Sequence, residues 1–164
     1  MPCVERIGEL DKGGNLIMFK VTGLNHVGIA VLNLEEASQT FNSKFGLHVS
    51  HRIESKMLGL AIGLVETRNC VLELMEPLDQ EGTVARFLEK QKKNTMHHLA
   101  FAVDADLDAV AKDLKESEVD LTYPQARIGV LGHPVNFCHP KFTSNILIEL
   151  CDVDYESRIG QKII

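Results

Sequence analysis

Two eight-residue stretches decide the fold: LNHVGIAV at residues 24–31 and MHHLAFAV at residues 96–103. Each has a histidine at its third position, followed by large apolar residues that alternate with glycine or alanine. A period of two is typical of a half-buried β-strand. Because the same pattern occurs twice, the sequence predicts an internal duplication, and each stretch is expected to be the first strand of one copy.

Both predicted strands are followed by an amphipathic helix. Asn33, with Glu36 three residues later, is a candidate capping box for the first helix. Asp106 is the candidate N-cap of the second. Apolar residues at helical spacing define the two buried stripes, which are Leu34, Ala37, Phe41 and Phe45 in the first helix and Leu107, Val110, Ala111 and Leu114 in the second.

Three extended segments complete each copy. They are predicted at about 47–54, 58–66 and 69–76 in the first copy, and at about 120–124, 133–139 and 145–151 in the second. The closing segments CVLELM (70–75) and ILIELC (146–151) align with each other. The sequence therefore predicts an α+β fold of two βαβββ modules in tandem around an open, barrel-like cleft.

The same pattern sets the expected boundaries. A flexible tail is predicted at 1–20, one domain at 21–153 and a C-terminal tail at 154–164. Within the domain we expect module 1 at about 21–78, a linker at about 79–94 with a helix near Thr83–Gln91, and module 2 at about 95–153.

Composition narrows the class of protein. The chain has 164 residues, 45% apolar and 24% charged, which is ordinary for a globular domain. Its 17 basic and 23 acidic residues give a net charge of −6, and a nucleic-acid binder usually shows a basic excess. No apolar run approaches the ~20 residues of a membrane-spanning helix. We therefore expect neither nucleic acid nor membrane as a partner.

The cysteines and the N-terminus bear on localisation. None of the four cysteines, Cys3, Cys70, Cys138 and Cys151, forms a C-x-x-C pair, so reduced thiols in an intracellular protein are expected. Acidic residues near the N-terminus argue against an import peptide. The expected compartment is the cytoplasm, or the mitochondrial matrix if the chain is a processed form.

Strand alternation places polar residues on the face opposite the helices. His26 shares a face with Gly28 and Ala30, and His98 does so with Ala100 and Ala102. In the closing strands Glu73 and Glu149 oppose leucine and isoleucine residues. A carboxylate within an apolar strand is costly unless it is paired or bound to a cation. Since each copy supplies one histidine and one glutamate, we predict a metal site at His26, Glu73, His98 and Glu149.

Other histidines compete for the role of ligand. Strand alternation places His97 on the helix-packed face, and its counterpart in the first copy is Asn25. We therefore predict that His98 is the ligand. His97 is expected to have a structural role or to contact a ligand without binding the metal itself. His48 and His51 have no histidine counterpart and are predicted at the surface, with the alternative that one of them lines the mouth of the cleft.

These residues resemble the vicinal-oxygen-chelate (glyoxalase/dioxygenase) superfamily and, within it, the methylmalonyl-CoA epimerases. The resemblance runs from about Leu24 to Cys151 and includes the His97-His98 pair, HPK at 139–141 and IEL at 148–150. It implies an isomerase that interconverts (R)- and (S)-methylmalonyl-CoA by proton abstraction and return through a metal-stabilised enolate.

The resemblance also implies a set of roles. His26, Glu73, His98 and Glu149 correspond to the metal ligands, and Glu149 to a catalytic base. The implied cofactor is a divalent cation, cobalt first, with zinc, nickel, manganese or magnesium as alternatives. The implied partners are an acyl-CoA substrate and a second copy of the chain in a homodimer. Lys141, Arg127 and His133 are candidates for contact with the anionic groups of the substrate.

This chain differs from some members of the family at the position of the second catalytic base. Some bacterial members of the family carry a glutamate, proposed as that base, where this chain has Ile62. Ile62 cannot transfer a proton, so Glu73, the counterpart of Glu149 in the first copy, is our candidate for the second base.

Rival functions use the same kind of cleft. A glyoxalase I-type lactoylglutathione lyase would use the same four ligands, and an iron dioxygenase would use two histidines and one glutamate. A member of the superfamily that only binds a small molecule is the non-catalytic alternative, which intact ligands in both copies disfavour.

Overall fold

The structure, a computed structural model, describes residues 9–10, 16–17 and 19–154. Its elements in chain order are β1 (Glu9–Leu10), β2 (Leu16–Ile17), β3 (Val21–Ala30), α1 (Leu34–Phe45), β4 (Val49–Ser55), β5 (Leu60–Glu66), β6 (Val71–Pro77), α2 (Thr83–Gln91), β7 (Thr95–Val103), α3 (Leu107–Glu116), β8 (Arg127–Ile128), β9 (Pro134–Cys138) and β10 (Ile148–Cys151). From β3 onward the order β-α-β-β-β occurs twice, with α2 between the copies. This confirms the predicted α+β repeat.

The chain divides into two compact units. One comprises residues 24–100, and the other comprises the residues up to Gly23 and those from Phe101 onward. In the first unit the strands lie in the order β4-β5-β6-β3-β7, with β3 and β6 parallel and β4, β5 and β6 antiparallel. In the second unit β10, β9 and β8 form an antiparallel ladder.

In each unit an apolar cluster joins a helix to the strands. In the first, Leu34 and Ala37 of α1 join Val31, Val65 and Leu74 in a buried apolar cluster. This cluster occupies the helix-packed face, which leaves the opposite face of β3 and β6 for polar side chains.

In the second unit, Leu107 and Val110 of α3 pack with Val103, Cys138 and Leu150. Burial in this cluster raises the pKa of the Cys138 thiol to about 11. Cys138 and Cys70 are free thiols.

The helix caps follow the sequence. The Asn33 side chain accepts a hydrogen bond from the backbone N–H of Glu36 at 2.8 Å. The Asp106 carboxylate accepts from the N–H groups of Asp108 and Ala109. Glu76 on β6 adds a bond from the Leu34 N–H at 2.9 Å, which ties the start of α1 to the strand that carries Glu73.

One predicted helix contact is wrong. Phe45, assigned to the apolar stripe of α1, is 70% exposed. The helix ends at this residue, and Gly46 caps it in a left-handed conformation (φ 67°), so Phe45 lies at the end of the helix and not within the buried stripe.

The predicted strand at 120–124 is also wrong. Leu121 forms only an isolated bridge to Cys138, and the strand of this copy is the shorter β8. The buried Asn136 side chain bonds both backbone groups of Tyr123, at 3.1 and 2.9 Å, in place of a neighbouring strand. Pro124 has no N–H with which to continue a ladder.

The two predicted tails fall mostly outside the described residues. In the N-terminal segment the short strands β1 and β2 pair antiparallel. Within the described part of the chain, none of the helices combines the length and apolarity that a membrane-spanning helix requires.

Candidate metal centre

His26, Glu73 and His98 converge at one buried point of the first unit. Each side chain offers one ligand atom, and these atoms all lie within 4.8 Å of one another. His26 Nε2 is 3.1 Å from His98 Nε2, and Glu73 Oε2 is 3.6 Å from the former and 3.8 Å from the latter. The three residues are only 3–6% exposed.

Strand register explains the convergence. β3 and β6 run parallel, with Gly28 opposite Glu73 and His26 opposite Val71. Alternation places His26, Gly28 and Glu73 on one face, as the sequence predicted. His98 lies on the neighbouring strand β7, and its ring crosses that of His26 at 84°.

Gly28 provides the space for the His98 ring. A methyl group built on Gly28 would overlap the imidazole of His98, with Nε2 only 2.6 Å away. The small residue beside His26 therefore leaves room for the second histidine. Any side chain at Gly28 would displace His98.

Two further residues contact the histidines from behind. Asn25 Oδ1 lies 2.8 Å from His26 Nδ1, and His97 Nδ1 lies 2.9 Å from His98 Nδ1. Phe87 of α2 packs edge-on against the His97 ring, with 4.8 Å between ring centres. The sequence pointed to a role for His97 but not to Asn25, although the two occupy the same position in the repeated stretches.

The donor set fits a divalent transition metal. Two imidazole nitrogens and a carboxylate oxygen are the ligands such ions prefer, and three protein ligands leave open positions for water or substrate. The Asn25 carbonyl can only accept a hydrogen bond, so neutral His26 carries its proton on Nδ1 and directs the Nε2 lone pair at the cluster.

Ile62 lines the same face. It is fully buried on β5, opposite Met75 of β6, while Leu64 is opposite Glu73. The register therefore surrounds Glu73 with apolar neighbours on this side, and Ile62 supplies no proton-transfer group.

The other four predicted site residues belong to the second unit. Glu149 on β10 is buried, and its Oε1 accepts a weak hydrogen bond from the Cys151 thiol at 3.8 Å. Arg127 is exposed and stacks over the Tyr123 ring at 3.8 Å, and Lys141 lies over the Phe142 ring at 4.3 Å. His133 precedes β9, and its Nδ1 is buried with no hydrogen-bond partner among the described residues.

Comparison with known proteins places this chain in a family. A model of the Glyoxalase/Bleomycin resistance protein/Dioxygenase superfamily matches residues 25–137. The mouse mitochondrial methylmalonyl-CoA epimerase is 35% identical over 133 residues, which are 81% of this chain and 74% of the mouse protein.

Solved structures agree with this assignment. The methylmalonyl-CoA epimerase of Mycobacterium tuberculosis superposes with a TM-score of 0.74 at 36% identity, over 80% of this chain and 88% of that one. A methylmalonyl-CoA epimerase in complex with methylmalonyl-CoA and an ammonium ion has a TM-score of 0.73 at 29% identity, over 81% and 95%. This chain therefore belongs to the Glyoxalase/Bleomycin resistance protein/Dioxygenase superfamily.

Proposed function

We propose that the chain is a metal-dependent epimerase that interconverts (R)- and (S)-methylmalonyl-CoA. The observation that carries the proposal is the buried His26, Glu73 and His98 cluster in a chain related to such epimerases over about four fifths of its length. The substrate class is supported by the acyl-CoA bound to the related structure.

Three residues would hold the cation, and we propose Glu149 as the fourth ligand. Its support is the repeat: Glu149 occupies on β10 the position that Glu73 occupies on β6, and both are buried. A divalent cation bound there supplies Lewis-acid stabilisation of negative charge on the substrate, which is worth several kcal/mol.

The reaction needs a proton removed from one face of C2 and returned to the other. In our scheme one carboxylate, Glu149 or Glu73, takes the C2 proton and the electron pair passes to the thioester oxygen. The other carboxylate, in its acid form, then protonates C2 on the opposite face. Glu73 directs Oε2 at the imidazoles, so the oxygen that takes part in proton transfer is assigned to Oε1.

The apolar surroundings favour this chemistry. Ile62 and Leu64 exclude water beside Glu73, which strengthens electrostatic interactions in the site. Arg127, Lys141 and His133 are proposed to contact the anionic groups of the substrate, since all three can carry positive charge.

Cobalt is the proposed ion and a homodimer is the proposed assembly, and the resemblance to the epimerases supports both. The proposed location is a reducing compartment, either the cytoplasm or the mitochondrial matrix. The free thiols of Cys70 and Cys138 support this location. Metal analysis of the purified chain and light scattering test the ion and the assembly.

The activity is tested in D2O with a single epimer of methylmalonyl-CoA and the cobalt-loaded chain. We expect the other epimer to accumulate with deuterium at C2, resolved by chromatography because CoA makes the two epimers diastereomers. Absence of both exchange and epimerisation would contradict the proposal. Methylglyoxal with glutathione, and oxygen uptake with ferrous iron, are the matched assays for the two rival enzymes.

A further inference from the structure

His51 lies on the face of the first unit that carries the metal ligands. On the edge strand β4 it is opposite Leu64 of β5, and Leu64 is in turn opposite Glu73 of β6. Residues directly opposite each other in an antiparallel pair project from the same face. His51 therefore belongs to the same row as Glu73, two strands away, with roughly 10 Å between the two backbones.

A β-bulge on β4 precedes His51. The register shifts by one residue between Val49 and His51, so Ser50 is an extra residue on this strand. Bulges change the direction of a side chain, and they are frequent next to active sites. The Ser50 hydroxyl lies 3.2 Å from the Leu64 carbonyl oxygen and 2.9 Å from Glu66 Oε1, and these contacts hold the bulge against β5.

Ser50 and Glu66 hold one side of the His51 ring. His51 Nδ1 is 3.1 Å from the Ser50 hydroxyl and 3.5 Å from Glu66 Oε1. A carboxylate can only accept, so the hydroxyl donates to Glu66 and accepts from Nδ1. The neutral ring therefore carries its proton on Nδ1. His51 Nε2 has no hydrogen bond to any residue that the structure describes, and the side chain is 65% exposed, so this nitrogen is accessible to a ligand.

An acceptor at this position matches a donor of the proposed substrate. Next to its thioester, an acyl-CoA carries the pantetheine arm, which has two secondary amides, each with one N–H group. Leu64 and Ile62, which project from the same face between His51 and the ligands, are buried and apolar. Such a surface suits the methylene groups of the arm, and the Nε2 lone pair suits an amide N–H.

We propose that His51 is a substrate-binding residue whose Nε2 accepts a hydrogen bond from an amide N–H of the pantetheine arm. Ser50 and Glu66 are positioning residues that hold its ring. The inference rests on the proposed function for the identity of the substrate. It adds a contact outside the acyl group, and it gives His51 no part in proton transfer.

Steady-state kinetics of the cobalt-loaded chain with methylmalonyl-CoA is the first test. His51→Phe keeps a planar ring without nitrogens, and we expect KM to rise about 3- to 10-fold, as for the loss of one hydrogen bond, with kcat within about twofold. His51→Gln places an amide oxygen near the position of Nε2 and should recover most of the loss. His51→Asn reaches only the position of Nδ1 and should not. An unchanged KM in His51→Phe, or a loss confined to kcat, would overturn the inference.

Glu66→Ala tests the positioning role. We expect it to raise KM about 2- to 5-fold in the wild type and to add nothing in the His51→Phe background, because the carboxylate acts through that ring. Additive effects of the two substitutions would contradict this role. His48→Phe is the matched control: His48 is exposed and precedes β4, so the same substitution there should leave KM unchanged.

Methylmalonyl-pantetheine distinguishes an amide contact from a phosphate contact. This thioester keeps both amides but lacks the nucleotide. We expect His51→Phe to raise its KM by the same factor as that of methylmalonyl-CoA. A loss seen only with methylmalonyl-CoA would overturn the assignment to an amide.

Calorimetry with propionyl-CoA, which has no epimerisable centre, separates this inference from the proposed function. We expect the wild type to bind it about 3- to 10-fold more tightly than His51→Phe does. That result in a chain that does not epimerise methylmalonyl-CoA would contradict only the epimerase proposal. Equal affinities in a chain that does epimerise it would contradict only the role of His51.

Discussion

The two modules carry a glutamate at the same point of their closing strands, but the two carboxylates have different neighbours. Glu73 on β6 faces two imidazole rings at 3.6 and 3.8 Å. Glu149 on β10 accepts from the Cys151 thiol, and the counterpart of Cys151 in the first copy is Met75, which cannot donate. Duplication thus fixes where each carboxylate sits on its strand, while single side chains fix what it contacts.

The middle strands of the two copies differ in length. β4 and β5 are seven residues each and pair along most of their length, whereas β8 has two residues and β9 five. The first strands are nearly equal in length, with ten residues in β3 and nine in β7, whereas the last strands have seven residues in β6 and four in β10. The four predicted ligands lie on these first and last strands.

The largest expected effect comes from removing either carboxylate. Glu73→Gln and Glu149→Gln each keep shape but cannot take up a proton, and we expect about 10²–10⁴-fold slower turnover. If the two bases serve opposite faces, deuterium exchange fails mainly from one epimer in the first variant and mainly from the other epimer in the second. A loss that is equal for both epimers, in only one of the variants, would rule out the two-carboxylate scheme.

Variants of the two histidines test whether each copy supplies a ligand to the cation. His26→Ala and His98→Ala should each weaken cobalt binding by at least about 100-fold, because each removes a ligand and not merely a residue behind one. Calorimetric titration measures the effect, with His48→Ala as the control. If one of the two variants bound cobalt as the wild type does, that histidine would not be a ligand.

A variant at Gly28 tests the packing that holds His26 and His98 together. A methyl group there overlaps the His98 ring, so Gly28→Ala should cost about 1–3 kcal/mol of the free energy of unfolding and weaken cobalt binding about tenfold or more. Gly23→Ala is the matched control, because a methyl group built there meets nothing within 4 Å. Similar urea midpoints and affinities for the two variants would show that the site tolerates a side chain at Gly28.

The smallest expected effects come from removing the side-chain caps of the two helices. Asn33→Ala and Asp106→Ala should each lower the free energy of unfolding by about 1 kcal/mol. Asp106→Ala should cost more, because the carboxylate accepts two N–H bonds and carries charge at a helix N-terminus. Urea denaturation measures both, with the exposed Lys112→Ala as control. A larger loss from Asn33→Ala would reverse this order.

Much of this was predictable because strand and helix periods are local. The first and last strands of each copy, the N-caps Asn33 and Asp106, and the buried faces that hold His26 and His98 follow from sequence pattern alone. The errors have local causes that periodicity cannot show, namely a helix end that leaves Phe45 in solvent and a side-chain amide that replaces a strand beside Tyr123.

Side-chain contacts between strands were the part that the pattern could not supply. That the His98 ring fills the space above Gly28, and that Asn25 and His97 stand behind the histidines, depends on ring orientations set by packing. The repeat offered one usable signal, the shared position of Asn25 and His97, but not their contacts.

Anomalous scattering from a crystal of the cobalt-loaded chain tests the central claim most directly. We predict one cobalt peak in the first unit, about 2.0–2.2 Å from Nε2 of both His26 and His98 and from a carboxylate oxygen of Glu73. A cobalt peak bound by other residues, or no peak at these three side chains after soaking, would contradict the account.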